Sequence, residues 1–133
     1  MILLDTHAVL WFTAEDEALG KQSMALARRA LAEDRLYVSA ISFWEIAMLT
    51  AKGRLQAIDS PVELRLRILS SGIREAALTG DIALLAVGLK SLHGDPADRF
   101  IAATAIAHDA ILMTADRLLL TWRHKVKRQN AAK

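Results

Sequence analysis

Short, unbroken apolar runs alternate along this chain with longer stretches in which apolar residues recur at helical spacing. Met1-Ile-Leu-Leu4 stops at Asp5, and Leu36-Tyr-Val-Ser39 and Ile111-Leu-Met-Thr114 have the same character. Runs of this kind suit strands buried on both faces of a parallel sheet. Ile73–Ala77 is a weaker strand candidate, because Arg74 and Glu75 interrupt it. Between these runs the pattern predicts helices. Lys21–Glu33 carries Met24, Ala27 and Leu31 at helical spacing, and Ser42–Lys52 opens on a capping-box pattern, Ser42-x-x-Glu45, and stops at Gly53. Ser60-Pro61 opens a third helix that ends at Ser71-Gly72. Thr79–Lys90 and Pro96–His108 follow, the second with Asp95 as its cap, and a short helix Arg117–Trp122 comes last.

Strands alternating with helices imply βαβ units. The expected fold is α/β, a three-layer α/β/α sandwich around a mostly parallel sheet of four to five strands. Right-handed crossovers put the carboxyl end of every strand on one edge, where open α/β sheets bind their ligands. Asp5 ends the first strand and Glu45 lies in the first turn of the helix after the second. Asp98 lies in the first turn of the helix before Ile111–Thr114, and Asp116 follows that strand. Four segments thus bring one carboxylate each to one edge. Such acids repel and raise one another's pKa unless something positive lies between them, and an all-oxygen donor set points to Mg²⁺ or Mn²⁺. Each acid has a second reading as a helix cap or a first-turn partner of the helix dipole.

The composition narrows the chemistry. With 133 residues, 53% hydrophobic and 24% charged, the chain is expected to be one domain over residues 1–133 and excludes disorder and low-complexity scaffolds. There is no cysteine, so disulfides, thiolate zinc sites and cysteine nucleophiles are excluded. The net charge of +2 conceals an asymmetry: a basic C-terminal tail, about 123–133, holds Arg123, Lys125, Lys127, Arg128 and Lys133 and no acid. Residues 1–122 keep 12 basic against 15 acidic residues, a net −3, and removing the four proposed ligands turns that to +1. The excess negative charge therefore belongs to one proposed site. Short basic runs of this kind usually fray into solvent, and this one is also placed to attract a phosphate backbone. The first basic residue is Lys21, and the longest uncharged apolar runs, Ile82–Leu89 and Phe100–Ala107, fall well short of the ~20 residues that span a bilayer. A soluble, cytoplasmic protein is expected.

Four segments in order carry a resemblance. Asp5-Thr6-His7 with Leu10-Trp11, Val38-Ser-Ala-Ile-Ser-Phe-Trp-Glu45-Ile, Asp95-Pro-Ala-Asp98-Arg99-Phe-Ile-Ala-Ala-Thr-Ala and Leu112-Met-Thr114-Ala-Asp116-Arg resemble the four motifs of PIN domains, most of all the VapC-type toxins of bacterial toxin–antitoxin pairs. The resemblance covers about residues 2–122. It implies an endoribonuclease dependent on Mg²⁺ or Mn²⁺, acting on an RNA substrate, restrained by a small VapB-like antitoxin and forming a homodimer. It assigns catalysis and metal binding to Asp5, Glu45, Asp98 and Asp116. Such acids and their metal can lower the pKa of a bound water and stabilise charge on the phosphate. Many relatives end in a further short strand, whereas Trp122-Arg-His-Lys-Val-Lys-Arg is a poor strand sequence. The fifth strand is expected to shrink to a residue or two around Val126, or the end to fray.

Other residues near the motifs keep two readings. Thr6 lies beside Asp5, and Thr114 can hydrogen-bond a ligand carboxylate or be an ordinary strand residue. His7 can contact phosphate, orient a carboxylate or simply pack; His93 has the same readings with less support. Arg99 can hold RNA phosphate or pair with an acid, the latter favoured in an acidic cleft. Trp11, Phe12, Phe43 and Trp44 read as core or interface before base stacking. The helix from Pro61 and the stretch Trp11–Leu31 offer a groove for an antitoxin helix, which Met24, Leu26, Met48 and Leu49 would suit, although core packing explains each of these alone.

Two other function classes meet obstacles in the sequence. A receiver-like phosphate module needs an acceptor Asp after the third strand, and Ile73–Gly80 has none there; a haloacid-dehalogenase-like phosphatase needs an Asp where His7 stands. A non-catalytic RNA- or protein-binding relative would have no use for four clustered carboxylates, which are costly to keep.

Overall fold

The computed structural model describes residues 1–55 and 59–133. In chain order its elements are β1 (Ile2–Leu4), α1 (Thr6–Ala14), α2 (Lys21–Ala32), β2 (Leu36–Ser39), α3 (Ala40–Ala51), α4 (Pro61–Ser70), β3 (Arg74–Ala76), α5 (Gly80–Gly88), α6 (Pro96–Ala107), β4 (Ile111–Thr114), α7 (Arg117–Thr121) and β5 (Arg128–Asn130). The five strands form one sheet in the order β3-β2-β1-β4-β5, and every pair is parallel. The expected three-layer sandwich is therefore present.

Its layers follow from side-chain alternation along the strands. Ile2 and Leu4 of β1, with Met113 of β4, face a core supplied by α1 to α4 through Val9, Ala27, Ile46 and Ile68. Leu3 and Leu112 face the opposite core, supplied by α5 to α7 through Ile82, Ile101 and Leu119. Leu3, Leu4, Leu112 and Met113 are fully buried, which is why those segments read as unbroken apolar runs.

Two expectations need correction. Helix α3 starts at Ala40, capped by the Ser39 side chain, which accepts from the Ile41 N–H at 3.2 Å. The Ser42-x-x-Glu45 capping box does not form. The last residue of β2 is itself the cap, and Ser42 is buried inside the helix, where its hydroxyl accepts from Thr6 Oγ1 at 3.0 Å. Glu45 thus lies in the second turn of the helix rather than the first.

Nor does the C-terminal segment fray. β5 lies at Arg128–Asn130, beyond Val126, and pairs with Leu112–Thr114. An edge strand needs its backbone groups more than apolar side chains, so a polar sequence suffices. The Arg128 guanidinium donates to the carbonyls of Leu119, Trp122 and His124 at 2.9, 2.6 and 2.8 Å, which closes the turn leading into the strand. Beyond it, the Gly20 N–H donates to the Ala131 carbonyl and the Gln22 N–H to the Lys133 carbonyl, both at 2.8 Å. Gly20 is the N-cap of α2 and has no side chain to accept from the helix, so chain carbonyls from 111 residues away satisfy its open N–H groups instead.

That docking leaves no room at Gly20, where an added Cβ would lie 2.1 Å from the Lys133 carbonyl carbon. Gly20→Ala is expected to displace the segment and cost about 1–2 kcal/mol, from one or two backbone hydrogen bonds. The urea midpoint should fall with an unchanged slope. Gly80→Ala, where a methyl meets nothing within 4 Å, should leave the midpoint in place.

Candidate active site

The strand order places a crevice between β1 and β4. The chain leaves β1 into α1, on one face of the sheet, and leaves β4 toward α7, on the other. Such a divergence opens a cleft outside the carboxyl ends of the two strands. The cavity there has a volume of about 360 Å³ and is lined by Asp5, Thr6, His7, Trp11, Glu45, Asp95, Asp98, Ala115 and Asp116. All four acids singled out from the sequence face it. No lysine or arginine is among its lining residues.

Asp5 is held at both oxygens. As N-cap of α1 it accepts from the Ala8 N–H at 2.8 Å through Oδ1, and Oδ2 accepts from the Thr114 hydroxyl. The same hydroxyl accepts from the Asp116 N–H at 3.0 Å, so one side chain ties the ends of both strands together. Only 6% of Asp5 is exposed. Burial pushes its pKa above the usual carboxylate range, against the pull of Thr114 and the Ala8 N–H. Asp116 caps α7 through Oδ1, which accepts from the Leu118 and Leu119 N–H groups at 2.7 and 3.4 Å. The capping reading thus holds for both aspartates and does not remove them from the cleft.

Asp98 differs from them. Its own N–H donates to Asp95 Oδ1 at 3.1 Å, so Asp95 is the cap of α6 and the Asp98 carboxylate is left for other work. That carboxylate meets His93 Nε2 at 2.7 Å. Burial, with the charges of Asp95 and Asp116, raises the Asp98 pKa to about 6, although His93 pulls it down. Glu45 reaches the cleft half-buried from α3.

The residues with two readings separate clearly. Thr6 is buried and donates to Ser42, which joins α1 to α3. His7 is exposed on the cleft rim, its ring 6.1 Å from that of Trp11. Arg99 pairs with no acid among the described residues. Its guanidinium donates to the carbonyls of Ala86, Val87, Leu89, Leu92 and His93, at 2.8–3.1 Å, and so binds the chain between α5 and α6. That role is not legible in the sequence, because a guanidinium can be satisfied by backbone carbonyls that no residue pattern displays. The sequence pattern also undervalues His93. One ligand atom each from His93, Asp98 and Asp116 lie within 4.8 Å of one another. The available signal was its position just before the Asp95 cap.

A cleft lined by five carboxylates, with no lysine or arginine among its lining residues, is chemically suited to a divalent cation. The site brings together one buried and immobilised acid, Asp5, and three half-buried ones, Glu45, Asp98 and Asp116, around a cleft with an open side.

Comparison with known proteins identifies the family. The profile of the PIN domain matches residues 2–121. Ribonuclease VapC22 of Mycobacterium tuberculosis is 42% identical over 124 residues, 92% of each chain. Among solved structures, FitAcB from Neisseria gonorrhoeae superposes with a TM-score of 0.68 at 25% identity, covering 98% of both chains. VapBC2 from Rickettsia felis, bound to a DNA fragment from its promoter, superposes with a TM-score of 0.69 at 19% identity over 98% of each chain. The receiver-like and dehalogenase-like alternatives fall with these matches. The chain belongs to the PIN domain family.

Proposed function

We propose that this protein is a divalent-metal-dependent endoribonuclease, the toxin of a toxin–antitoxin pair, which hydrolyses RNA phosphodiester bonds in the cleft between β1 and β4. The observation that carries the reading is the convergence of Asp5, Glu45, Asp98 and Asp116, from four separate segments, on one cavity. The 42% identity to a ribonuclease adds independent support.

Asp5, Glu45, Asp98 and Asp116 would hold Mg²⁺ or Mn²⁺, which supplies Lewis-acid stabilisation of phosphate charge and lowers the pKa of a bound water. The chain's own residues set the conditions for this. Thr114 and the α1 N-terminus lock Asp5, so the buried carboxylate has one orientation and loses no rotamer freedom when it binds a cation. Asp116 is fixed in the same way by α7. Without a cation, the clustered negative charge would repel a phosphate backbone. His7, exposed on the rim, is placed to meet an entering phosphate.

The proposal includes two partners. A VapB-like antitoxin would lay a helix along the groove between α1 and α4, where Leu10, Trp11, Leu55 and Leu64 line a cavity of about 330 Å³ with Asp16, Asp59 and Arg67 around it. Met48 and Leu49 of the sequence-based groove do not line that cavity. A homodimer would cover exposed apolar side chains such as Leu84 and Val87 on α5, 76% and 80% exposed. No helix among the described residues is long and apolar enough to cross a membrane, which fits action on RNA in the cytoplasm.

Three outcomes test this. RNA incubated with the protein and Mg²⁺ or Mn²⁺ should be cut. EDTA should stop the cutting, and Asp98→Asn should slow it by at least about 100-fold, roughly 3 kcal/mol of lost transition-state stabilisation. Undiminished cleavage by Asp98→Asn would remove the site assignment, and a non-catalytic relative would show no cleavage under any condition. In cells, induction of the protein should arrest growth, and co-expression of the neighbouring small gene should restore it. Growth unaffected by induction would count against a toxin.

The third outcome is pH-dependent. The folded protein binds the Asp98 proton more tightly than the unfolded chain does, because burial raises the pKa to about 6 from 3.8. In the metal-free protein this group's stabilising contribution is complete below about pH 4 and is lost as the pH rises through 6. A cation must displace the same proton, so its affinity should weaken as the pH falls below 6, by up to about tenfold per unit for one proton. Calorimetric titration with Mn²⁺ from pH 5 to 8 would show this, and a flat profile would exclude Asp98 as a ligand.

A further inference from the structure

One well-built feature lies outside the four-acid site. The chain between α5 and α6 makes a turn at residues 89–95 without regular structure, yet it is held from several sides. Arg99 donates to five of its carbonyls or those just before it, including the carbonyl of His93 itself at 3.1 Å. The Trp122 indole N–H donates to the Lys90 carbonyl at 2.8 Å. Leu89 and Leu92 are buried in the core of α5 to α7. Ser91 has φ +62°, a left-handed conformation that a side chain adopts only when its surroundings impose it. What this rigid turn delivers is His93, whose Nε2 lies 2.7 Å from Asp98 Oδ2.

We propose that His93 is a positioning residue of the cleft, holding Asp98 by Oδ2 so that the carboxylate's other oxygen is presented to the cation. An ionised carboxylate only accepts hydrogen bonds, so against it Nε2 carries the hydrogen and donates. The need for such a donor is clear from the surroundings. Asp98 has no capping bond to fix it, unlike Asp5 and Asp116, and the terminal torsion of an aspartate is soft. Facing Asp95 and Asp116, a free Asp98 carboxylate would rotate away from them toward water. The His93 ring N–H fixes it by a hydrogen bond to Oδ2. Arg99 acts one step further back, by fixing the backbone that carries His93.

The competing arrangement is His93 as a direct ligand, since its nitrogen lies near the oxygens of Asp98 and Asp116. A metal-binding histidine normally donates its second ring N–H to a carbonyl or carboxylate. Here Nε2 is already engaged by Asp98 Oδ2 at 2.7 Å and is closed to a cation, which favours the positioning role.

This inference rests on the cleft being the metal site, and the test separates the two. Calorimetric titration with Mn²⁺ at pH 7.5 would compare the parent with His93→Ala, His93→Gln and Asp98→Asn, alongside circular dichroism and urea midpoints. His93→Ala should bind Mn²⁺ about 10–100-fold more weakly, as expected for loss of a carboxylate-orienting partner. His93→Gln, whose amide N–H can still reach Asp98, should recover most of that loss. Parent affinity in His93→Ala, or no recovery in His93→Gln, would overturn the proposal. So would nitrogen coupling to Mn²⁺ in pulsed electron paramagnetic resonance that disappears in His93→Gln, because the imidazole would then be a ligand. If the parent binds no Mn²⁺, or Asp98→Asn binds it as tightly as the parent, the metal reading of the cleft fails first. Should His93→Ala fail to fold, His93→Gln against the parent and the resonance spectrum still decide.

Discussion

Two neighbouring strands buried on both faces impose most of what this molecule does. β1 and β4 sit at the centre of the sheet, and their side chains alternate between two dry cores. Neither strand can end in water. Each must turn out of the core at its carboxyl end, and the two turn to opposite faces. The backbone groups exposed by that parting need polar partners at once, and the first polar residues available are Asp5 and, after Thr114, Asp116. The cleft and its acids are thus a consequence of how the central strands terminate.

The same terminations settle an apparent competition between structure and chemistry. A carboxylate at a helix N-terminus satisfies open N–H groups and is favoured by the helix dipole, so Asp5 and Asp116 are stabilised by the fold whether or not a cation is bound. Each can cap a helix and still line the cleft. That offsets part of the repulsion that crowding would produce. Asp98, in the first turn of α6, makes no capping bond, and burial with the charges of Asp95 and Asp116 raises its pKa to about 6. Its side chain is instead held by the imidazole of His93.

Much of this was legible in the residues. Strand positions followed directly from unbroken apolar runs, because burial on both faces leaves no room for a polar residue at β1 or the middle of β4. The convergence of Asp5, Glu45, Asp98 and Asp116 followed from handedness alone. What was not legible shares one property: it depends on backbone atoms. The Ser42-x-x-Glu45 pattern looked like a cap because sequence cannot show that β2 runs into α3 with no intervening loop, which makes Ser39 the cap. Arg99 was read by its charge, whereas its partners are five carbonyls. β5 has no strand-like composition because an edge strand is held by its ladder and by contacts that Gly20 and Gln22 make with residues 131 and 133. Residues 56–58, between Leu55 and Asp59, lie outside the described residues, and the sequence reading placed no element there.

The closure of α2 by residues 130–133 also bears on the order of events during synthesis. Helix α2 is made early, but the carbonyls that complete its first turn, and the Asn130 carbonyl that accepts from Ser23, belong to residues 130–133, more than a hundred positions later. Until they emerge from the ribosome, the N-terminus of α2 is open and the β4 edge of the sheet is unpaired. Contacts of such long sequence separation form late and slowly. Between the synthesis of β4 and the docking of β5, a nascent chain therefore has a sheet edge able to pair with another chain. The strand made last of the five thus docks beside Thr114, whose hydroxyl holds Asp5, so the sheet closes next to the acids.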